Sequence, residues 1–384
     1  MIPLSVPNFE GNELTYVTKA VAEGWVSTGG AYIREMEQKL AAYLDVPGAA
    51  AMQSGTAALH LALRECGVQP GDLVIAPTLT FIAAVNPITY LGAEPVFMDC
   101  DASLCMDPEK LEAFCTEECV LQESRLVHRA TGKTVRALVV VHVFGNMADM
   151  ERILDIAATH HLKVVEDATE ALGTRYTDGH FAGRYAGTMG DLGAFSFNGN
   201  KIITTGGGGM LVARDPQHLA HAAYASTQSK DDPLFYIHDE IGYNYRMTNV
   251  QAAIGVAQLE WLDTFIDRKN RNYDRYAALF AADPDVRLMP FREGTASNKW
   301  FYALYLRKET DIRRLVQELG EQGIQTRPIW GLIHEQMPYR HCLSYRIEQA
   351  AHYSRRILNI PCSTNLTEQE IQTVYEKVMG TLRR

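Results

Sequence analysis

The stretch from Gly190 to Gly209 reads GDLGAFSFNGNKIITTGGGG and places one lysine between a short apolar segment and four successive glycines. Ala194–Phe197 is typical of a buried strand, and the Asn-Gly-Asn that follows it is typical of a turn. Lys201 therefore follows the end of a strand, where functional sites gather in α/β sheets. The glycines either leave room for a ligand or permit a close backbone crossing. A solvated surface lysine beside a flexible loop is the alternative that this stretch alone leaves open.

The composition is that of a globular protein with a large core, because 47% of the 384 residues are hydrophobic and 21% are charged. A formal net charge of -10 and the lack of basic runs argue against nucleic-acid binding and favour small-molecule partners. The first residues resemble no leader peptide, and no run of about 18 apolar residues occurs. We therefore expect a cytoplasmic protein without a membrane segment. The seven scattered cysteines predict reduced thiols rather than a disulfide framework.

Strand and helix patterns alternate from Leu73 to Asp167, and apolar strands separated by helices predict a parallel sheet covered on both faces. Residues 118–135 are polar, which predicts an irregular surface excursion. The pattern changes after about residue 250, beginning with one long amphipathic helix predicted over Val250–Arg271. We therefore predict a large α/β domain over residues 1–250, with the N-terminal helices included, and a smaller α+β domain over residues 251–384.

A candidate anion site lies at the helix that is predicted to begin after Ser54-Gly55-Thr56. Ser54 or Thr56 would cap this helix. Free amides, hydroxyls and the helix dipole at such an N-terminus suit a phosphate. Because similar caps begin many ordinary helices, an anion site and a plain cap both remain open.

Asp167 ends the strand predicted within HLKVVEDATEALG, residues 161–173. A carboxylate at the mouth of a sheet requires a cation or hydrogen-bond donors, and a helix N-cap is the alternative interpretation. Together, Asp167, Lys201 and Thr56 suit pyridoxal phosphate (PLP). This cofactor needs a lysine for its Schiff base, an acid for its ring nitrogen and an anion site for its phosphate. Phe81, just beyond the predicted strand Leu73–Ala76, is a candidate to stack on the cofactor ring.

Five stretches in order along the chain resemble the DegT/DnrJ/StrS family of nucleotide-sugar aminotransferases: SGTAALHLAL, PTLTFIAAVNPITYLGAEPVFMDCD, VVEDATEALG, GDLGAFSFNGNKIITTGGGGML and GYNYRMTNVQAAIG. The resemblance implies the fold of fold-type I PLP enzymes, with a mostly parallel seven-stranded sheet in the large domain. It also implies a homodimer in which each active site is built from both subunits.

The same resemblance implies roles for individual residues at the cofactor ring. Lys201 would form the internal aldimine and shuttle protons, and Asp167 would pair with the pyridine nitrogen. Phe81 would stack on the ring. Glu170 stands where relatives often have glutamine or histidine near the 3′ oxygen of the cofactor. A carboxylate beside that partly anionic oxygen is repulsive unless it carries a proton.

At the other end of the cofactor, the resemblance implies that Gly55, Thr56 and Ser196 hold the phosphate. Asn244, within GYNYRMTN, would reach the phosphate in the neighbouring subunit.

The substrate is implied by a narrower resemblance. VHVFGNMADM, HDEIGYNYRMTN and GIQTRPIW are similar to segments of legionaminic- and bacillosamine-pathway aminotransferases. These aminate C4 of a UDP- or GDP-linked 4-keto-6-deoxy-N-acetylhexosamine, with glutamate as donor and 2-oxoglutarate as product. Candidate substrate contacts are Trp25, Val26, Ser27, Arg327 and Trp330, and a packing role is equally open for residues 25–27 and Trp330. Amination at another keto position, or of a non-acetylated sugar of the perosamine type, is the alternative.

Two other functions are alternatives to an aminotransferase. One is a PLP enzyme with a different reaction, such as sugar 3-dehydration, but relatives of that kind replace the lysine with histidine. The other is a non-enzymatic binding protein with the same fold. Lys201, Asp167 and Thr56 together argue against both.

Overall fold

The computed structural model of the chain describes residues 1–232 and 234–384. Its helices are α1 (Glu13–Ala22), α2 (Ala31–Leu44), α3 (Gly55–Glu65), α4 (Asn86–Tyr90), α5 (Pro108–Ala113), α6 (Met150–Thr159), α7 (Pro216–Ala225), α8 (Asn249–Leu259), α9 (Leu262–Phe280), α10 (Ile312–Glu321), α11 (Gln349–Ser354) and α12 (Glu368–Leu382).

The strands are β1 (Ala50–Met52), β2 (Leu73–Pro77), β3 (Glu94–Met98), β4 (Cys119–Gln122), β5 (Arg125–His128), β6 (Thr134–Val141), β7 (Lys163–Asp167), β8 (Arg175–Tyr176), β9 (Leu192–Ser196), β10 (Gly209–Ala213), β11 (Val286–Leu288), β12 (Thr295–Ala296), β13 (Tyr302–Leu306), β14 (Arg327–Pro328), β15 (Leu343–Tyr345) and β16 (Ile357–Ile360).

Within the described residues, the largest sheet has ten strands, and eight of them follow the order β1-β10-β9-β7-β6-β2-β3-β15. Strands β9, β7, β6, β2, β3 and β15 pair in parallel, whereas β10 and β1 are antiparallel to their neighbours. The seven strands β1, β10, β9, β7, β6, β2 and β3 form the mostly parallel sheet that the resemblance implied. Because parallel strands end at one edge, the residues after β2, β7 and β9 meet there.

The prediction that residues 118–135 are irregular is wrong, since β4 and β5 form an antiparallel hairpin attached to β6. Its turn residues, Glu123 and Ser124, have positive φ values of 47° and 63°. Turns of this kind usually contain glycine or asparagine, which tolerate that conformation. Neither residue occurs here, so the sequence carried no signal for the hairpin.

The single helix predicted over Val250–Arg271 is also wrong, because Glu260 and Trp261 separate α8 from α9. The Trp261 ring stacks on Phe265 with 6.1 Å between ring centroids. Neither residue of the break is glycine or proline. Packing therefore overrides the local helical preference at this point.

A second sheet has the antiparallel order β11-β13-β16-β14. Helix α9 packs on β11, α10 packs on β14, and α12 contacts both helices. The start of the chain joins this region, because the Ile2 amide donates to the Gly323 carbonyl at 2.8 Å and the Cys362 amide donates to the Leu4 carbonyl at 2.8 Å.

Strand β15 connects this later part of the chain to the large sheet by pairing with β3. Directly after β3, the buried Asp99 carboxylate accepts hydrogen bonds from the amides of Glu348, Gln349 and Ala350 at 2.7–2.9 Å. It also accepts one from Lys110 Nζ at 2.6 Å. The edge of the large sheet is thus closed by residues from the C-terminal part of the chain. Among the helices of the described residues, none has the length and apolar character needed to cross a bilayer.

Candidate active site

A cavity of about 430 Å³ opens where β2, β7 and β9 have their carboxyl ends. The residues that line it and were predicted from the sequence are Gly55, Thr56, Phe81, Asp167, Glu170, Ser196, Lys201 and Trp330. The fold therefore brings together most of the predicted cofactor contacts, although they are distant in sequence.

Lys201 stands in a turn after β9, where its amide donates to the Asn198 carbonyl at 3.0 Å. The side chain is largely buried, and its Nζ lies 3.8 Å from Oε1 of Glu170. Burial lowers the pKa of Lys201, while the carboxylates of Glu170 and Asp167 oppose that change. A lowered pKa makes the neutral amine, the form that a nucleophile needs, easier to reach by loss of a proton.

Asp167 is the last residue of β7 and is buried. Its Oδ1 accepts a hydrogen bond from the Thr169 amide at 3.0 Å, so it caps a tight turn rather than a helix. Among the described residues, no cationic side chain forms an ion pair with it. Burial raises the pKa of Asp167, although Thr169, Lys201 and His142 lower it. A ligand that brings a cationic N–H would satisfy this carboxylate.

The preceding residue, Glu166, points to the opposite face of β7 because successive strand residues alternate. Its carboxylate accepts hydrogen bonds from Nε2 of His142 at 2.9 Å and from the amides of Gly187, Met189 and Gly190. Burial raises the pKa of Glu166, but these donors outweigh burial and hold it below the usual value. This fully satisfied carboxylate is structural, and it fixes the strand that carries Asp167.

Glu170 is held at the cavity wall by a hydrogen bond from the Phe144 amide to Oε2 at 2.7 Å. Burial raises the pKa of Glu170 to about 7, against the lowering effects of Lys201 and that amide. Near neutral pH, the side chain can therefore carry a proton. In its protonated form, Glu170 would not repel an anionic oxygen of a ligand.

Helix α3 begins at the cavity with Ser54 as its N-cap, since Ser54 Oγ accepts from the Ala57 amide at 3.0 Å. The Gly55 and Thr56 amides belong to the first turn, whose N–H groups have no acceptor within the helix. Both residues line the cavity beside Ser196. A helix N-terminus with adjacent hydroxyls is a suitable phosphate site.

The run of glycines both leaves room in the cavity and permits a close backbone crossing, the two roles that the sequence left open. Gly207 and Gly208 line the cavity, where side chains would reduce the space. Gly209 is a close backbone crossing, because an added Cβ would lie 2.4 Å from the carbonyl carbon of Ser54. The crossing holds the start of α3 against β10.

The residues present suit PLP. The cavity offers a buried lysine, a buried carboxylate without a cationic partner among the described residues, and an anion site at α3. Phe81 lies at the mouth with 55% of its surface exposed, so its ring is available for stacking. Within residues 1–232 and 234–384, no three His, Cys, Asp or Glu side chains are arranged to hold a metal ion.

Other predicted site residues lie away from this cavity. Trp25 lines a separate cavity of about 740 Å³, and its carbonyl and that of Ser27 accept hydrogen bonds from Asn249. Val26, between them, is 45% exposed. The backbone of Asn244 pairs with that of Thr227 in an isolated antiparallel β-bridge. Arg327 begins β14 and is exposed, and its guanidinium donates to the Thr326 carbonyl. Their roles stay predictions.

The sequence did not indicate two aromatic residues that line the cavity, Trp300 and Phe301. The Trp300 indole lies over the Lys201 side chain, with Nζ 4.1 Å from the ring centroid. Both aromatic residues come just before β13, and apolar residues beside a strand are ordinarily core. The only local pattern that could have indicated Trp300 is the sequence Asn298-Lys299-Trp300, and such a pattern is too common to identify a site residue.

Comparison with known proteins gives matches along nearly the whole chain. The sequence model of the DegT/DnrJ/EryC1/StrS aminotransferase family matches residues 7–379. A putative pyridoxal phosphate-dependent aminotransferase, EpsN of Bacillus subtilis, is 36% identical over 98% of this chain and 95% of its own length. GDP-perosamine synthase of Caulobacter vibrioides is 37% identical over 97% of this chain and 96% of its own length. The crystal structure of the aminotransferase TlmJ from Streptoalloteichus hindustanus superposes with a TM-score of 0.87 at 27% identity. The superposition covers 100% of this chain and 99% of the TlmJ chain.

Proposed function

Because this chain belongs to the DegT/DnrJ/EryC1/StrS aminotransferase family and is a PLP-dependent sugar aminotransferase, we propose that it aminates C4 of a nucleotide-linked 4-keto-6-deoxy sugar. L-Glutamate is the proposed amino donor, and 2-oxoglutarate is the product that leaves. The observation that carries the proposal is the meeting of Lys201, Asp167 and the N-terminus of α3 in one cavity.

Each part of the cavity has a proposed binding role. Lys201 would hold PLP covalently, and Asp167 would bind the protonated ring nitrogen. Gly55, Thr56 and Ser196 would hold the phosphate. Bound in this way, PLP supplies an electron sink that stabilises negative charge at the carbon that loses a proton.

Lys201 is the proposed proton carrier. Its Nζ would accept the proton that leaves Cα of glutamate and deliver it to carbon C4′ of the cofactor. In the second half of the cycle, Nζ would take a proton from C4′ and deliver it to C4 of the sugar. The lowered pKa of Lys201 supports this role, because a proton carrier works best when its pKa is near the working pH. Glu170, which titrates near neutral pH, is the adjacent group that tunes the charge around Nζ.

An N-acetylated hexosamine, linked to UDP or GDP, is the first candidate acceptor, because the segments near Phe144, Asn244 and Trp330 resemble those of enzymes for such sugars. A non-acetylated GDP sugar is the second candidate. The 37% identity to a GDP-perosamine synthase supports it. Trp25, Val26, Ser27, Arg327 and Trp330 are the proposed substrate contacts, with the amination serving cell-surface glycan or nonulosonic acid synthesis.

We also propose that the enzyme is a homodimer. Asn244 lies outside the cavity lining of its own chain and forms a bridge with Thr227. That position is compatible with a contact to the phosphate site of a second copy. Analytical ultracentrifugation of wild type and Asn244→Ala, with PLP affinity measured at the same concentrations, tests this. A fully active monomer would contradict the shared site.

The cofactor assignment is tested by the visible absorbance of the purified protein after PLP is added. The wild type should bind PLP as a coloured complex that glutamate bleaches, with one 2-oxoglutarate formed for each site. Lys201→Ala should lose the covalent complex and this single turnover. A wild-type protein that stays colourless would overturn the proposal.

The substrate is tested with UDP- and GDP-linked 4-keto-6-deoxy sugars, each with and without the N-acetyl group. Mass spectrometry should detect replacement of the keto oxygen by an amino group in one of the four. Amination of the non-acetylated GDP sugar alone would favour the second candidate. Failure of all four, with 2-oxoglutarate still formed in single turnover, would refute the substrate class but not the enzyme class.

A further inference from the structure

Lys201 has an unusual neighbour for a buried lysine, because its Nζ faces the indole of Trp300 at 4.1 Å from the ring centroid. The two residues are almost a hundred positions apart, and Trp300 is 3% exposed. At this distance, the negative face of an indole attracts an ammonium group. The neutral amine gains much less from the same contact.

The indole is fixed by contacts on several sides. Its Nε1–H donates to the Asn200 carbonyl at 2.7 Å, next to Lys201 in the chain. The ring stacks on Phe301 at 3.9 Å, with 13° between the ring planes. The Trp300 amide donates to Oδ1 of Asn298 at 3.0 Å. These contacts hold the indole against Nζ without any contribution from the lysine itself.

A buried lysine, Lys269, contributes to this arrangement, because its Nζ donates to the Trp300 and Cys362 carbonyls. Burying a lysine only to bind carbonyl groups is costly. The contact nevertheless fixes the backbone from which the Trp300 ring projects. Lys269 is therefore a support for the indole rather than a second reactive amine.

The charged groups that face Lys201 cannot replace this contact. Glu170 is 3.8 Å away, which is too far for a hydrogen bond, and Asp167 acts on Lys201 only through its field. A carboxylate in direct contact would also compete for the proton of the ammonium group. An indole face attracts the positive charge but has no basic site, so it leaves the proton free to move to substrate.

We propose that Trp300 is a positioning residue that binds the ammonium form of Lys201 whenever this amine is not covalently engaged. The inference rests on the proposed role of Lys201 as proton carrier. In this role, Trp300 keeps Nζ at the cavity wall and favours its protonated form, which burial alone would disfavour. The residue touches the reactive amine but not the atoms that are exchanged between the substrates.

The test uses protein free of PLP, so that it does not depend on activity. Tryptophan with one, two or three fluorine atoms is incorporated site-specifically at position 300, which weakens the ring face with little change in shape. The pKa of Lys201 is then measured by competitive labelling with trace acetic anhydride across pH, followed by mass spectrometry of the peptide. The matched control carries the same residues at position 330, because Trp330 lines the same cavity but packs on Phe144 at 4.8 Å.

The pKa of Lys201 should fall stepwise with each fluorine at position 300, by about half a unit to one unit in total. It should stay constant in the series at position 330. A constant value in both series, or an equal fall in both, would overturn the proposal. Failure of the proposed function is distinguishable, because it would appear as absent PLP binding in the unmodified protein whatever the labelling shows.

Discussion

Oε1 of Glu170 lies 3.8 Å from Nζ of Lys201 inside the cavity at the edge of the large sheet. The other oxygen of Glu170 is committed to the Phe144 amide. The pair therefore shares one buried environment, and the charge of either group changes the proton affinity of the other.

Glu170→Gln should make the stability of the PLP-free protein less dependent on pH. The pKa of Glu170 is raised to about 7 in the folded chain, so its stabilising effect is complete below its unfolded pKa and is lost as the pH rises through 7. Relative to wild type, the variant should gain up to about 3 kcal/mol of unfolding free energy between pH 5 and pH 8. Urea unfolding at both values measures this. If the unfolding free energies of variant and wild type differ by the same amount at pH 5 and at pH 8, the titration assigned to Glu170 is contradicted.

Asp167→Asn should separate function from stability. The amide oxygen can still accept from the Thr169 amide, and the buried charge without a cationic partner among the described residues is gone. The unfolding free energy of the PLP-free variant should stay within about 1 kcal/mol of wild type or rise. Transamination should fall by at least about 100-fold, because the ring nitrogen loses its anion. Strong destabilisation would assign Asp167 a structural role instead.

Glu166→Gln should show the reverse pattern, since this carboxylate binds His142 and three backbone amides on the other face of β7. At neutral pH we expect a loss of about 3 kcal/mol or more in unfolding free energy, measured in urea. The pKa of Glu166 is lowered, so the wild-type advantage should diminish as the pH falls through its acidic range. Glu94→Gln, at the surface ion pair with Lys133, is the control and should cost less than about 1 kcal/mol.

Gly209→Ala should weaken PLP binding by displacing the start of α3. Its Cβ would meet the Ser54 backbone at 2.4 Å, so either β10 or the helix must shift. We expect at least a tenfold loss of PLP affinity, measured by absorbance titration, with some loss of stability. Gly199→Ala is the matched control, because an added Cβ at this position meets nothing within 4 Å. Equal effects of both substitutions would show that the crossing does not position the helix.

The residues that meet at the proposed cofactor end of the cavity could be predicted from the sequence, because PLP chemistry restricts the residue types. A Schiff base requires a lysine, and a protonated ring nitrogen requires an acid, so Lys201 and Asp167 could be recognised at strand ends. The proposed phosphate site at Thr56 was indicated by the helix-capping pattern. These features are local, and local sequence is sufficient to indicate them.

The remaining features depend on packing between distant segments. The contact of Trp300 with Lys201 depends on the approach of β13 to the turn after β9, which no local pattern encodes. The break at Trp261 and the hairpin turn at Glu123 use residues that carry no turn or break signal. Ser27 and Asn244 were assigned by resemblance, and their proposed contacts need a substrate or a second copy of the chain.

The pairing of the chain's first residues with its last elements sets the order in which the protein can fold during synthesis. Leu4 is synthesised 358 residues before its hydrogen-bond partner Cys362. The edge of β3 is likewise unprotected until Leu343–Tyr345 has emerged. Contacts between such distant positions form slowly, and an open strand edge invites pairing with other chains. The nascent enzyme therefore has an aggregation-prone interval that lasts at least until Leu343–Tyr345 has emerged and paired with β3.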